Sequence, residues 1–425
     1  MPPVRIVTEE TGPGLFAARG SAPSWSSQEN AWEPRLSLYN GNAANLRKWR
    51  AAFAKASIGE GRAHISCHLD SITFRAQGPA HANQPEASWP RRLAKMFETR
   101  LGLPYAGTGI LPYFSIYGGG DADPRLTGHG TGVGSDFTNL DEGIYGQAAR
   151  QFVKGTLGTN GFWFGNEAAP LYANGIVLYL RRSAGVGKVI VDGVADKTFS
   201  NGTGGEAASF QELPGYHPGQ MVIPILLSTT DIGYHTFLLQ APSTGEPVTI
   251  YAVEGAAPGN GGVKVSNLAL NGRSTADMTT DEANNGILGM AQSFDMARAH
   301  LAIIAPGMND YQSHVPTTTF KANVTAAINR QRAAGSNPGK ANGDVLLVAE
   351  PQPNYAAIPG SPPFTDYLRA LYEVADEQNV PLLDMAHLWG DWATANSLGQ
   401  LTDNLHPNAV GAYGIADAVF KVLTR

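Results

Sequence analysis

The chain has 425 residues, 43% hydrophobic and 16% charged, which is enough for two domains with sizeable cores. A net charge of −6 leaves no basic stripe to meet phosphates, so neither a nucleic acid nor an anionic membrane is an expected partner. The single cysteine, Cys67, excludes internal disulfides and thiolate metal clusters, and no apolar run approaches the ~18 residues of a membrane helix.

The N-terminus lacks a basic stretch followed by an apolar one, so no secretory leader is expected. Residues 1–42 scatter Pro, Gly and Ser with little periodicity and read as an arm or linker. From Ala43, "AANLRKWRAAFAKA" places Leu46, Trp49, Phe53 and Ala56 at helical spacing. "AHISCHL" (63–69) then reads as a short strand. The next helix, 88–103, is capped by Ser88 and buries Leu93, Met96, Phe97 and Leu101.

After Pro104 the pattern changes. Runs such as "NGIVLYLRR", "GKVIVDGV", "QMVIPILLS", "HTFLLQAP" and "EPVTIYAVEG" are separated by Gly- and Pro-containing turns, with no helix between them. They predict an antiparallel β-sandwich over residues 105–262. The aromatic cluster "GFWFG" around Trp163 either stacks on a sugar or fills the sandwich core, and core is the favoured reading.

From Val263 the pattern changes again. "VKVSNLAL", "HLAIIAP", "GDVLLVAEP" and "VPLLD" are near-continuous apolar runs, as strands buried on both faces should be. Helices are predicted at 281–298, 317–334 and 364–378, and again in the last stretch from Asn408. Alternating strands and helices give a parallel sheet. The expected architecture is one α/β domain in two pieces, 43–104 and 263–425, interrupted by the sandwich.

In open α/β sheets ligands bind beyond the carboxyl ends of strands. The residues found there are Asp70-Ser71, Asn271-Gly272, Gly307-Met308-Asn309-Asp310 and, before the last helix, "DNLHP" with Asp403 and His406. These are the residue types that acyl transfer requires. A serine hydroxyl needs a base, His406 can take its proton, and Asp403 three residues earlier can orient the ring. The Ser71 and Gly272 N–H groups and the Asn309 amide can face an oxyanion. The bland readings are a turn-capping Ser71, an Asx-turn at Asn309 and Asp310, and core roles for His64 and His68. The remaining histidines show no metal-ligand spacing.

At these four places the sequence resembles the SGNH or GDSL esterase and lipase family. The first block, usually Gly-Asp-Ser-(hydrophobic)-Thr, is Leu69 to Thr73 here, with leucine in the glycine position. "NLALNGRSTAD" (267–277) resembles the second block, Gly307 to Asp310 the third, and Asp403 to Pro407 the last, in the family's order. The resemblance implies a three-layer, flavodoxin-like parallel-sheet hydrolase domain. It implies a serine ester hydrolase with Ser71, Asp403 and His406 as catalytic residues and Ser71, Gly272 and Asn309 as the oxyanion hole. No metal or organic cofactor is implied. The expected substrate is an acylated carbohydrate or small ester, with acetyl groups on a glycan of a bacterial cell envelope foremost. Two alternatives stay open: a lipase or thioesterase with a long-acyl pocket, and a virion-associated phage-tail binding module with or without esterase activity. Oligomeric state is left open.

Overall fold

The computed structural model describes most of residues 37–74, 88–112, 261–280, 290–333, 342–355 and 361–425. It also describes short strands at 32–33, 282–283 and 287–288, and those between 126 and 257. Its central layer is a seven-stranded sheet. In chain order the strands are β1 (Trp32–Glu33), β2 (Leu38–Tyr39), β3 (Ala63–Leu69), β4 (Val263–Asn267), β5 (Leu301–Ala305), β6 (Asp344–Ala349) and β7 (Leu382–Asp384). They lie side by side as β1-β2-β7-β6-β5-β3-β4. The five from β4 to β7 are parallel, whereas β2 joins β7 antiparallel. The apolar runs are continuous because β3, β5 and nearly all of β6 are buried, leaving no polar face to alternate with.

Helices cover both faces. On one, α1 (Arg47–Ser57), α3 (Trp89–Leu101) and α10 (Ala409–Leu423) meet through Trp49, Phe97 and Phe420, with ring centroids 6.1 Å and 5.3 Å apart. On the other, α4 (Ala291–Ala297), α6 (Thr317–Arg332) and α7 (Phe364–Glu377) pack together, with Phe320 edge-on to Tyr367. Short helices α2 (Ser71–Phe74), α5 (Met308–Gln312), α8 (Met385–Trp389) and α9 (Trp392–Ser397) complete the α/β layer. The fold is the three-layer α/β architecture expected from the strand–helix alternation.

Between α3 and β4 lie two antiparallel sheets. One has five strands, including Gly161–Phe164, Val186–Val191 and Phe237–Gln240. The other is built around Leu171–Arg181, Val222–His235 and Val248–Ala256. The chain passes from the second sheet into the first at Thr236, beyond a register shift between Ser228 and Gly233; bulges of this kind are how strands turn corners between sheets. A polar seam joins these sheets to the α/β layer. The Lys264 ammonium and the Tyr179 hydroxyl each donate to Glu254 at 2.8 Å, and Ile110 N–H donates to Ser266 Oγ at 2.9 Å.

Three expectations are refined. The predicted arm ends in sheet structure: Leu38 and Tyr39 are buried and paired to β7, while residues 1–31 and 34–36 lie outside the described residues. The helix expected over 281–298 is confined to Ala291–Ala297, with a two-stranded ladder at Glu282–Ala283 and Ile287–Leu288 before it. The Asn284-Asn285-Gly286 run explains why, since it favours a turn over a helix. Ser88 occupies the N-cap of α3, yet no side-chain hydrogen bond to the first turn is made there.

Candidate active site

In the order β4-β3-β5-β6-β7, the direction in which the chain adds strands reverses between β3 and β5, the point where such sheets open a crevice. Ser71 follows β3 and Asn309 follows β5. The reversal therefore sets two distant pieces of sequence side by side at the carboxyl edge.

The local chain at Ser71 explains its place at the carboxyl edge of the sheet. Leu69 closes β3 with φ of +89°, a left-handed conformation costing roughly 1–2 kcal/mol for a residue with a Cβ. That bend turns the chain out of the sheet and starts α2. Asp70 caps the short helix, its Oδ1 accepting from Ile72 N–H at 3.0 Å and its carbonyl from Phe74 N–H at 2.8 Å. Ser71, the first residue of α2, has no carbonyl within the helix to receive its N–H. The cap in this stretch thus falls to Asp70, and Ser71 is left as the candidate nucleophile.

Ser71 Oγ lies 2.9 Å from His406 Nε2, and His406 Nδ1 lies 2.8 Å from Asp403 Oδ2. The Asp403 carboxylate can only accept, so Nδ1 carries the hydrogen and Nε2 presents its lone pair to the serine. Asp403 Oδ1 also accepts from the N–H groups of Leu405 and His406, at 2.8 and 2.6 Å. Partial burial pushes the Asp403 pKa up, but the His406 N–H, the His406 ring and the Leu405 N–H outweigh it and hold the group below its ordinary value. Asn408 caps α10 with bonds to Val410 and Gly411 N–H, fixing the turn that carries the histidine.

On the other side, Gly272 has φ of +72°, and a Cβ there would meet no atom of the described residues within 4 Å. Asn309 Nδ2 donates to Arg273 O at 2.9 Å and faces Asp70 Oδ2 at 3.4 Å. The structure brings Ser71, His406 and Asp403 into one chain of contacts. It sets Asn309 beside Arg273, the neighbour of Gly272, and Asp70, the neighbour of Ser71.

Sequence reasoning missed Asp310 and Glu350. Asp310, read as an Asx-turn residue, is buried and accepts from the Thr275 N–H and hydroxyl. Glu350, buried at the end of β6, lies against Asp70. Its signal was available: a carboxylate directly after the apolar run "DVLLVA". Tyr355 stands at the rim, 39% exposed, its hydroxyl pKa raised by burial and by the charge of Asp403. The indole of Trp392 donates to the Asp403 carbonyl at 3.2 Å.

His68 is a core residue, stacked on Phe294 at 4.0 Å and bonded to Ser66 Oγ. His64 bonds Ser266 Oγ at 2.7 Å. The side chain of Trp163 lies outside the described residues. Among the described residues no group of three or more His, Cys, Asp and Glu is placed to hold a metal ion, and no helix is long and apolar enough to cross a membrane.

Residues 228–412 match the GDSL-like lipase/acylhydrolase family, a span that includes Gly272, Asn309, Asp403 and His406 and begins after Ser71. The fold is similar to that of a peptidoglycan O-acetylesterase, with a TM-score of 0.63 at 16% identity over 91% of this chain and 99% of that one. Weaker likenesses are to an acetyl xylan esterase (TM-score 0.29, 16% identity, 37% and 80% of the chains) and a family two carbohydrate esterase from Cellvibrio japonicus (0.28, 11%, 74% and 97%). No curated protein matches the chain.

Proposed function

We propose that this chain is a serine ester hydrolase that removes acetyl or other small acyl groups from a glycan, a reading supported by the match of residues 228–412 to the GDSL-like lipase/acylhydrolase family. The observation that carries the chemistry is the 2.9 Å contact between Ser71 Oγ and His406 Nε2. In this reading Ser71 Oγ bonds to the ester carbonyl carbon as its proton passes to His406 Nε2. Asp403 holds the ring and stabilises the imidazolium. The carbonyl oxygen, now an anion, is met by the Ser71 and Gly272 N–H groups and the Asn309 amide, each worth ~10²–10³ in rate. Collapse breaks the bond to the alcohol, which takes the proton from His406. Water then repeats the sequence on the acyl-serine and releases the acid.

The sandwich is read as an insertion, residues 105–262, between the two pieces 43–104 and 263–425 of the hydrolase domain. A glycan is favoured over a lipid because the likeness to the peptidoglycan O-acetylesterase spans both parts of the chain. The test compares acetyl and octanoyl p-nitrophenyl esters with O-acetylated peptidoglycan. Ser71→Ala should abolish turnover with the fold intact, and acetate should be released from the glycan. A strong preference for the octanoyl ester would replace this reading with a lipase or thioesterase.

A further inference from the structure

Beneath the nucleophile turn lies a pair of buried carboxyl groups that none of the acyl-transfer steps uses. Asp70 and Glu350 are each 1% exposed, and their side chains lie against one another. Two carboxyl groups can share a hydrogen bond only if one of them carries a proton. The surrounding donors decide which. Asp70 Oδ1 accepts from Ile72 N–H, and Oδ2 faces the Asn309 amide, so both its oxygens act as acceptors. Glu350 Oε2 accepts from Met308 N–H at 3.2 Å, but among the described residues Oε1 meets no donor. A bare buried acceptor is costly, and an O–H of its own removes the cost. The proton therefore sits on Glu350 and points to Asp70.

The neighbours of Asn309 give this proton a consequence. One amide hydrogen is anchored on Arg273 O at 2.9 Å, and the other has only the long 3.4 Å contact to Asp70. That second hydrogen is the one left for a substrate oxyanion. We propose that Glu350 is a positioning residue of the oxyanion hole: as a neutral acid it donates to Asp70, weakening the hold of that carboxylate on the Asn309 amide. This rests on the reading of Ser71 and Asn309 as the hydrolytic centre. Without the donation, Asp70 pulls the amide inward and leaves an undiluted negative charge below the place where the oxyanion forms. Both effects act in the transition state rather than on substrate binding, so they lower kcat more than they raise KM.

The electrostatic setting agrees. Burial first, and then the charge of Asp70, push the Glu350 pKa well above the carboxylate range. Asp310, on α5, adds to the repulsion, so the charged groups recorded as facing Glu350 are both acidic. As pH rises far enough to ionise Glu350, the donation is lost and kcat should fall.

The experiment measures kcat and KM for p-nitrophenyl acetate across pH in wild type, Glu350→Gln, Glu350→Leu and Ser71→Ala. Glu350→Leu should lose roughly 10–100-fold in kcat with KM within about 3-fold. Glu350→Gln, whose amide can still donate to Asp70, should recover most of that loss and keep its rate to higher pH than wild type. Infrared spectra of Ser71→Ala at neutral pH should show a protonated carboxyl stretch that disappears when Glu350→Gln is added. A Glu350→Leu enzyme with wild-type kcat overturns the proposal, as does an alkaline fall that is the same in wild type and Glu350→Gln. If Glu350→Leu does not fold, the Glu350→Gln profile and the infrared band decide. Turnover surviving Ser71→Ala would instead remove the hydrolytic centre itself.

Discussion

The Asp310 carboxylate accepts both the N–H and the hydroxyl of Thr275, at 3.1 Å and 2.5 Å, and so ties the loop bearing Gly272 to the helix bearing Asn309. Asn323 donates to the same Thr275 hydroxyl at 3.1 Å, anchoring the junction to α6. The two candidate oxyanion donors outside α2 are therefore held by one buried link. Asp310→Ala leaves the Thr275 N–H unsatisfied, which should cost roughly 1–3 kcal/mol of stability. In the proposed mechanism it should also lower kcat on the order of 10-fold or more, because the donors lose their fixed spacing. Denaturant unfolding and steady-state kinetics on the same preparation read the two effects. Unaltered kcat in a destabilised variant would mean that the link serves folding alone.

Leu69 offers a test of stored strain. Its φ of +89° suits glycine, yet its side chain is buried in the core. Leu69→Ala keeps the strained backbone and loses the buried side chain, at a cost of ~2–5 kcal/mol. Leu69→Gly loses the same packing but relieves roughly 1–2 kcal/mol of strain. The usual ranking of alanine above glycine should therefore invert, with Leu69→Gly the more stable of the two in denaturant titration. The opposite order would show that the bend at Leu69 carries no strain.

In the proposed mechanism Asp403 supplies orientation and charge without touching the substrate. Asp403→Asn preserves the shape but removes the anion that fixes the His406 tautomer, so kcat should fall about 10³-fold or more with KM little changed. A loss smaller than tenfold would show that the backbone already holds His406 in place. For stability the sign is that of a depressed carboxylate: the contribution is present above the ordinary Asp value and is lost as pH falls through the folded-state pKa.

His68 and Glu350 should pull stability in opposite directions along the pH scale. Burial pushes the His68 pKa down to about 3 from 6.5. The unfolded chain thus binds a proton that the folded chain refuses, and stability is lost as pH falls from 6.5 towards 3, on the order of 5 kcal/mol in all. Glu350 is raised, so its contribution is complete below the ordinary Glu value and is lost as pH rises towards its folded-state pKa. Thermal melts of wild type, His68→Leu and Glu350→Gln should show a flatter acid limb for the first variant and a flatter alkaline limb for the second. Parallel curves for all three proteins would contradict both assignments.

Much of the molecule was legible before any fold was known. "AHISCHL" is a strand over its full predicted span, and the helices at 317–334 and 364–378 shorten by only a residue or two. These elements were readable because their signals, apolar runs and helical spacing, lie within a few residues. The candidate site residues Ser71, Gly272, Asn309, Asp403 and His406 stood out for a similar reason, each sitting in a short block with its own composition. The ladder at 282–288 was misread because the helical apolar spacing of the following residues masked the Asn-Asn-Gly turn signal.

What the chain order and local chemistry determined, then, is a parallel α/β sheet, a stretch of antiparallel strands within the chain and a set of candidate acyl-transfer side chains. The tertiary structure alone decided which of those side chains touch, that Leu69 bends against its preference, and that Asp70 and Glu350 meet away from water. The physical reason is that periodicity and capping act between neighbours in the chain. Protonation and the aim of a donor depend instead on what packs against a group, and therefore on parts of the chain far from it in sequence.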